Sequence, residues 1–143
     1  MNLRRLALDQ LARGQNRARD ARRAFDEGRW ADTFRYSQEA VELALKALLR
    51  WLAIEVPKRH DVGPILERVP DQLPRAVRAR LPAIVQLSAS LADRRAWAMY
   101  GDEATGRAAS EVFNDQGEAG RFLKEVEEVV ALVARAMPVH KGT

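Results

Sequence analysis

The chain contains no cysteine. Disulfides, thiolate metal sites and cysteine nucleophiles are therefore excluded, and the composition suits a reducing, cytoplasmic setting. Histidine is nearly as scarce. His60 and His140 are the only two, and they lie too far apart to read as a zinc site by spacing. Neither a GxxxxGK[ST] loop nor a GxGxxG turn is present, so the common phosphate-cradling and dinucleotide fingerprints are absent. No apolar run approaches the ~18 residues that a membrane span requires. Met1-Asn2-Leu3-Arg4-Arg5 is followed by charge at Asp9, Arg13 and Arg17, without the apolar stretch of a signal peptide. No membrane association is expected. Aromatic residues make up only 6% of the chain, and they do not interleave with basic residues as in a single-strand-binding sheet. Asp71, Asp93, Asp102 and Asp115 share no spacing that suggests a catalytic carboxylate pair. Strict alternation of apolar and polar residues is also missing, which leaves no candidate strand.

What is present is helical periodicity. The length of 143 residues fits one domain, expected over residues 1–138 with a disordered tail at 139–143. Apolar residues at 47% and charged residues at 31% are globular values. A first helix is expected from Leu3 to Glu27, capped by Asn2, with Leu3, Leu6, Leu11, Ala18 and Phe25 as its stripe and Ala7, Ala21 and Ala24 as small packing residues. Gly14 is its weak point, and Gly28 suits the left-handed residue that ends it. A second helix is expected from Trp30 to Glu55, where Trp30, Phe34, Val41, Leu45, Leu48 and Leu52 recur at helical spacing and Pro57 is the stop. A short helix is expected from Asp61, as cap, through Val69. A long helix follows from near Pro82 to Met99, then a loop at Gly101–Gly106. The last helix should run from Gln116 to Met137 with Asp115 as cap. The fold class is thus all-α: an up-down bundle of four long helices plus one short helix.

All of the 24 basic residues except Lys46, Lys58, Lys124 and Lys141 are arginine, and the net charge is +4. Arginine forks suit phosphate and carboxylate, and a basic balance raises the prior for nucleic acid or nucleotide. A biased codon usage gives the same composition.

Three stretches stand together: Gly28-Arg29-Trp30-Ala31-Asp32 with Phe34, Tyr36, Ser37 and Gln38; Ala40-Val41-Glu42-Leu43-Ala44-Leu45-Lys46-Ala47-Leu48-Leu49; and Pro57-Lys58-Arg59-His60-Asp61-Val62, followed by Ile65-Leu66. This arrangement resembles the HEPN domain family of prokaryotes. In that family a helix with the Glu and Lys four apart is followed by a Pro-x-Thr-His-(Asp/Asn)-Leu element. Here Arg59 stands for the threonine and Val62 for the leucine. Many relatives also carry Arg-Tyr-Pro-Asp after the penultimate long helix. The equivalent here is Met99-Tyr100-Gly101-Asp102, which keeps the tyrosine and the aspartate. The resemblance implies a nucleotide such as ATP as ligand, with no resident cofactor. It also implies a minimal nucleotidyltransferase protein as partner, as in toxin–antitoxin pairs, and a homodimer. Its ribonuclease branch implies an R-x(4–6)-H motif, for which Arg135 and His140 are the only match in spacing.

Each candidate residue has a plain reading beside the functional one. Glu42 and Lys46 form a favourable i,i+4 pair, either an ordinary ion pair or a lysine presented to a ligand phosphate. His60 either braces a helix entrance that Asp61 caps or contacts a ligand beside Lys58 and Arg59, where a helix N-terminus favours anions. Tyr100 and Asp102 either stop a helix or line the same pocket. Arg135 and His140 flank Pro138, which breaks the helix between them, so the pair makes a poor catalytic base and partner. Without a complete catalytic centre the chain reads as a binding protein. The alternatives are a metal-independent ribonuclease toxin acting on RNA and a structural helical adaptor. Leu43, Leu49 and Trp51 widen the apolar surface of the second helix, as expected of a helix buried on much of its circumference or of one that also serves an oligomer interface, and the latter points to the homodimer.

Overall fold

A computed structural model describes residues 3–138. Helices α1 (Leu3–Asp26), α2 (Trp30–Trp51), α5 (Leu81–Tyr100) and α7 (Gln116–Ala136) are long; α3 (Gly63–Arg68), α4 (Arg75–Ala79) and α6 (Ala109–Val112) are short. A 3-10 turn at Pro70–Gln72 joins α3 to α4. No strand occurs among the described residues, so the all-helical bundle stands. It has three short helices where the sequence suggested one. The proline-punctuated stretch and the loop before α7 each hold a single turn too short to show periodicity. The expected cap Asn2 and the tail 139–143 lie outside the described residues.

The α1–α2 turn is built by its glycine. Gly28 has φ +74°, and its N–H donates to Phe25 O (3.0 Å) while Arg29 N–H donates to Ala24 O (2.8 Å), a Schellman motif. The two helices then run back to back: Arg4 lies over Trp51 and Arg17 bonds Glu39. Helix α7 is antiparallel to α1, with Arg22 on Glu127. It is also antiparallel to α5, with Arg94 near Glu118. The long helices therefore alternate in direction.

Several expectations shift on packing grounds. On α1, Leu11 and Ala18 and the small residues Ala7, Ala21 and Ala24 are buried as expected and Gly14 joins them, while Leu3 and Leu6 are exposed. Small residues win because α1 and α2 approach closely. A Cβ on Gly14 would stand 3.2 Å from Ala40 O and from Ala44 N, so Gly14 is a contact point and not a weak point. Helix α2 ends at Trp51 and not at Glu55, well before Pro57. Ala53 takes φ +59°, with Ala53 N–H on Arg50 O (3.1 Å) and Ile54 N–H on Leu49 O (2.8 Å). The same six-residue wrap that Gly28 makes is here made by an alanine. Helix α3 starts at Gly63, two residues later than expected, because Asp61 is held by α5.

The apolar breadth of α2 has a simple source. It packs against α1, α5 and α7, and Ala40, Ala44, Leu45, Ala47, Leu48 and Leu49 are fully buried within the chain. Phe34 stacks between Phe113 and Phe122 (centroids 4.6 and 5.0 Å), and Trp51 is half-buried beneath the Arg4 guanidinium. The large exposed hydrophobics are Leu3, Leu6, Trp97 and Tyr100, none of them on α2.

Candidate functional site

Gln38, Glu42 and Lys46 stand four apart on α2 and so share one face. That row looks into the cleft between α1 and α5. Glu42 Oε2 accepts from Lys46 Nζ (2.8 Å) and Oε1 accepts from Gln38 Nε2 (2.7 Å). His60 Nδ1 meets the same Oε1 at 2.8 Å. The Gln38 side chain also accepts from Arg95 of α5. This double role fixes the orientation of its amide, because the NH₂ must face the carboxylate and the oxygen the guanidinium. Gln38 is 2% exposed, so both ends need partners and both have them.

Glu42 is the hub. Its side chain is 16% exposed and that of Lys46 13%. Burial pushes the carboxyl upward, but hydrogen bonds from Lys46, Gln38 and His60 and the Lys46 charge outweigh it, and the group ends below the usual carboxylate range. The contact to His60 also ties down the loop between α2 and α3. The next residue ties it to α5: Asp61 Oδ1 accepts from Ser88 Oγ (2.9 Å) and from Gly63 N–H (3.0 Å), and Ser88 Oγ accepts from Val62 N–H (3.0 Å). His60 thus braces and displays at once, for its side chain stays 55% exposed.

Above Glu42 and His60 opens a groove of about 230 Å³, lined by Arg13, Arg17, Glu39, Glu42, Leu43, His60 and Arg95. Arg17 is held by Asp20 and Glu39, and Glu39 is shared with Arg35. A larger hollow of about 460 Å³ lies by Gly28, Trp30, Phe113 and Asn114. Its cation, Arg29, is already divided between Glu27 and Asp32, so it offers no uncommitted charge.

Of the residues singled out from the sequence, Glu42, Lys46 and His60 come together. Lys58 and Arg59 are exposed beside His60 but do not line the groove. The N-terminus of α3 is already occupied, since Asp61 takes the Gly63 N–H. Tyr100 is 73% exposed at the end of α5. Asp102 serves its own loop, pairing by backbone with Arg107 and accepting from Ala104 N–H (3.1 Å). Arg135 is exposed in the last turn of α7, and His140 lies outside the described residues. Sequence reasoning missed Arg13, Arg17, Glu39, Leu43 and Arg95. Gln38 was legible as a member of the 38–42–46 row. The arginines were not, because their place depends on how α1 and α5 flank α2.

Among the described residues, no cluster of His, Asp and Glu is placed to hold a metal, and no helix is long and apolar enough to cross a membrane. Comparison with curated proteins and with solved structures gave no significant match. The sequence profile of the HEPN domain, in contrast, matches residues 7–136. That span runs from the first buried turn of α1 to the end of α7 and includes the whole Glu42 network, and the chain accordingly belongs to the HEPN domain family.

Proposed function

We propose that this chain is a non-catalytic HEPN module that binds a nucleotide in the groove over Glu42 and acts as a homodimer paired with a minimal nucleotidyltransferase, in the manner of a toxin–antitoxin couple. Family membership supports a nucleotide- or RNA-related role in general. The observation that supports the nucleotide part of this reading is the convergence of Lys46, Gln38 and His60 on one carboxylate at the floor of a groove walled by Arg13, Arg17 and Arg95. A polar assembly of this kind in the flank of a central helix is costly to build, and two of its members, Glu42 and His60, line one small opening beside the arginines.

The test is a thermal shift with ATP at millimolar concentration. A rise in Tm that disappears in Lys46→Ala and His60→Ala, each compared with its own unliganded Tm, supports the reading. No rise in the unaltered protein removes the nucleotide from it. Native mass spectrometry of protein purified from its own host tests the partner: a retained nucleotidyltransferase is expected. Sedimentation should show a species of twice the 16.1 kDa chain mass. RNA cleavage that survives EDTA and is lost in His140→Ala would replace this reading with the ribonuclease one.

A further inference from the structure

We infer that the groove is a subsite for a terminal phosphate or polyphosphate group, gripped by Arg13 and Arg95 from opposite walls, with the sugar and base of any nucleotide lying outside it. The inference deepens the nucleotide-binding reading above and rests on the same groove.

The charge of the Glu42 carboxylate is answered by Lys46, with His60 at hydrogen-bond distance, and that of Glu39 by Arg17 and Arg35. Two guanidinium groups of the lining are then left over. Arg13, on α1, makes no hydrogen bond or ion pair with another described residue. Arg95, on α5, bonds the neutral amide oxygen of Gln38. A guanidinium has five N–H donors in a planar fork, so one edge of Arg95 stays free for a two-point grip on phosphate. Gln38, itself 2% exposed and locked on Glu42, holds Arg95 in place. An anion meeting Arg95 therefore meets a preset fork and not a loose side chain.

Size and lining set the chemical class. Pockets that enclose a drug-sized ligand measure roughly 300–1,000 Å³. The groove, at about 230 Å³, falls short of that but has room for a phosphate or two. No Phe, Tyr or Trp lines it, and Leu43 is its one large apolar residue. A base would find only the edge-tethered His60 ring to stack on and no enclosing wall. Two uncompensated cations match the dianion of a phosphate end better than the single charge of an internal diester.

Pyrophosphate, adenosine and ATP separate the parts. Isothermal titration at low salt should show binding of pyrophosphate and of ATP, competition between them, and none for adenosine. Arg13→Gln should weaken pyrophosphate binding about tenfold, the loss of one exposed charge-assisted hydrogen bond, and Arg95→Gln by at least as much, since it removes a two-point grip. Arg23→Gln, about 15 Å further along α1, should leave it unchanged. Because the Arg13 side chain has no hydrogen-bond or ion-pair partner among the described residues, Arg13→Gln should keep the unliganded Tm, so weaker binding there is not an unfolding artefact. The subsite is overturned if pyrophosphate does not bind, if Arg13→Gln and Arg23→Gln behave alike, or if ATP binds without competition. The last result leaves nucleotide binding standing elsewhere. Pyrophosphate bound through Arg13 with no binding of ATP keeps the subsite and removes the nucleotide.

Discussion

Replacing Glu42 with alanine removes the acceptor for three donors at once, and its cost follows from how each can be rescued. His60 is more than half exposed and turns to water. Gln38 Nε2 is buried, and a buried amide left without an acceptor costs about 1–3 kcal/mol. Lys46 is left as a nearly buried cation. Removing one partner of a fully buried ion pair costs about 3–5 kcal/mol, but the flexible lysine stem lets its ammonium move toward the groove and water. The net expectation is a loss of about 2–3 kcal/mol. For a chain of this length a kcal/mol moves Tm by about 3–4 °C, so Glu42→Ala should melt about 6–12 °C lower. Glu42→Gln keeps an acceptor and loses the charge, and should fall by about half as much. The pH dependence has a definite sign. The folded-state carboxyl lies below its ordinary range, so its stabilisation is present above that range and fades as pH falls through the lowered folded value. The gap between the native chain and Glu42→Gln must therefore narrow on acidification. Circular dichroism melts at neutral and acidic pH check both points. A drop under about 2 °C for Glu42→Ala, or a gap that widens in acid, would refute the reasoning.

Three further outcomes test the packing. Gly14→Ala gains about 1 kcal/mol of helix propensity but sets a methyl 3.2 Å from the backbone at Ala40 and Ala44; overpacking of about 1–3 kcal/mol wins, and urea denaturation should show a net loss of about 1 kcal/mol. Ala53→Gly relieves a left-handed alanine worth about 1–2 kcal/mol, partly returned as unfolded-state entropy, so the variant should be about 0.5–1 kcal/mol more stable in the same assay. Ser88→Ala strips the buried Val62 N–H of its acceptor and Asp61 of a donor, and should cost about 1–3 kcal/mol, with faster amide exchange from 54 to 62.

The long helices were legible because four or more turns give the 3.6-residue period room to show. Single turns such as Arg75–Ala79 and Ala109–Val112 have no period, and they exist because Val77 and Phe113 reach the core. Pro57 misled the reading of the α2 terminus. A proline forbids helix beyond itself, but it does not force the helix to reach it, and Ala53 folds back first. The apolar breadth of α2 was visible, yet its two explanations, burial by three neighbours or an oligomer face, differ only in what lies opposite. The chain's own α1, α5 and α7 supply the answer for most of that surface. The site divides in the same way. Its local row on α2 could be read from spacing, and its arginines from α1 and α5 could not.

That row raises a question of design. A helix packed on three sides could carry apolar residues at 38, 42 and 46 as it does elsewhere, and buried ionic groups replaced by apolar ones of similar volume often leave a protein as stable or more so. The triple variant Gln38→Leu, Glu42→Leu, Lys46→Met removes every buried polar partner together, so no donor is stranded as in Glu42→Ala. Arg95, half-buried at the groove edge, turns outward. If the network exists to hold the fold, the triple variant should melt at or below Glu42→Ala. If it exists to position Arg95 and His60 for a ligand, the triple variant should melt within a few degrees of the native chain, about 3–4 °C per kcal/mol, while pyrophosphate binding is lost. The second outcome is expected, because stranded partners and not missing attractions dominate the cost of the single substitution. A triple variant as unstable as the single one would show that the network is structural.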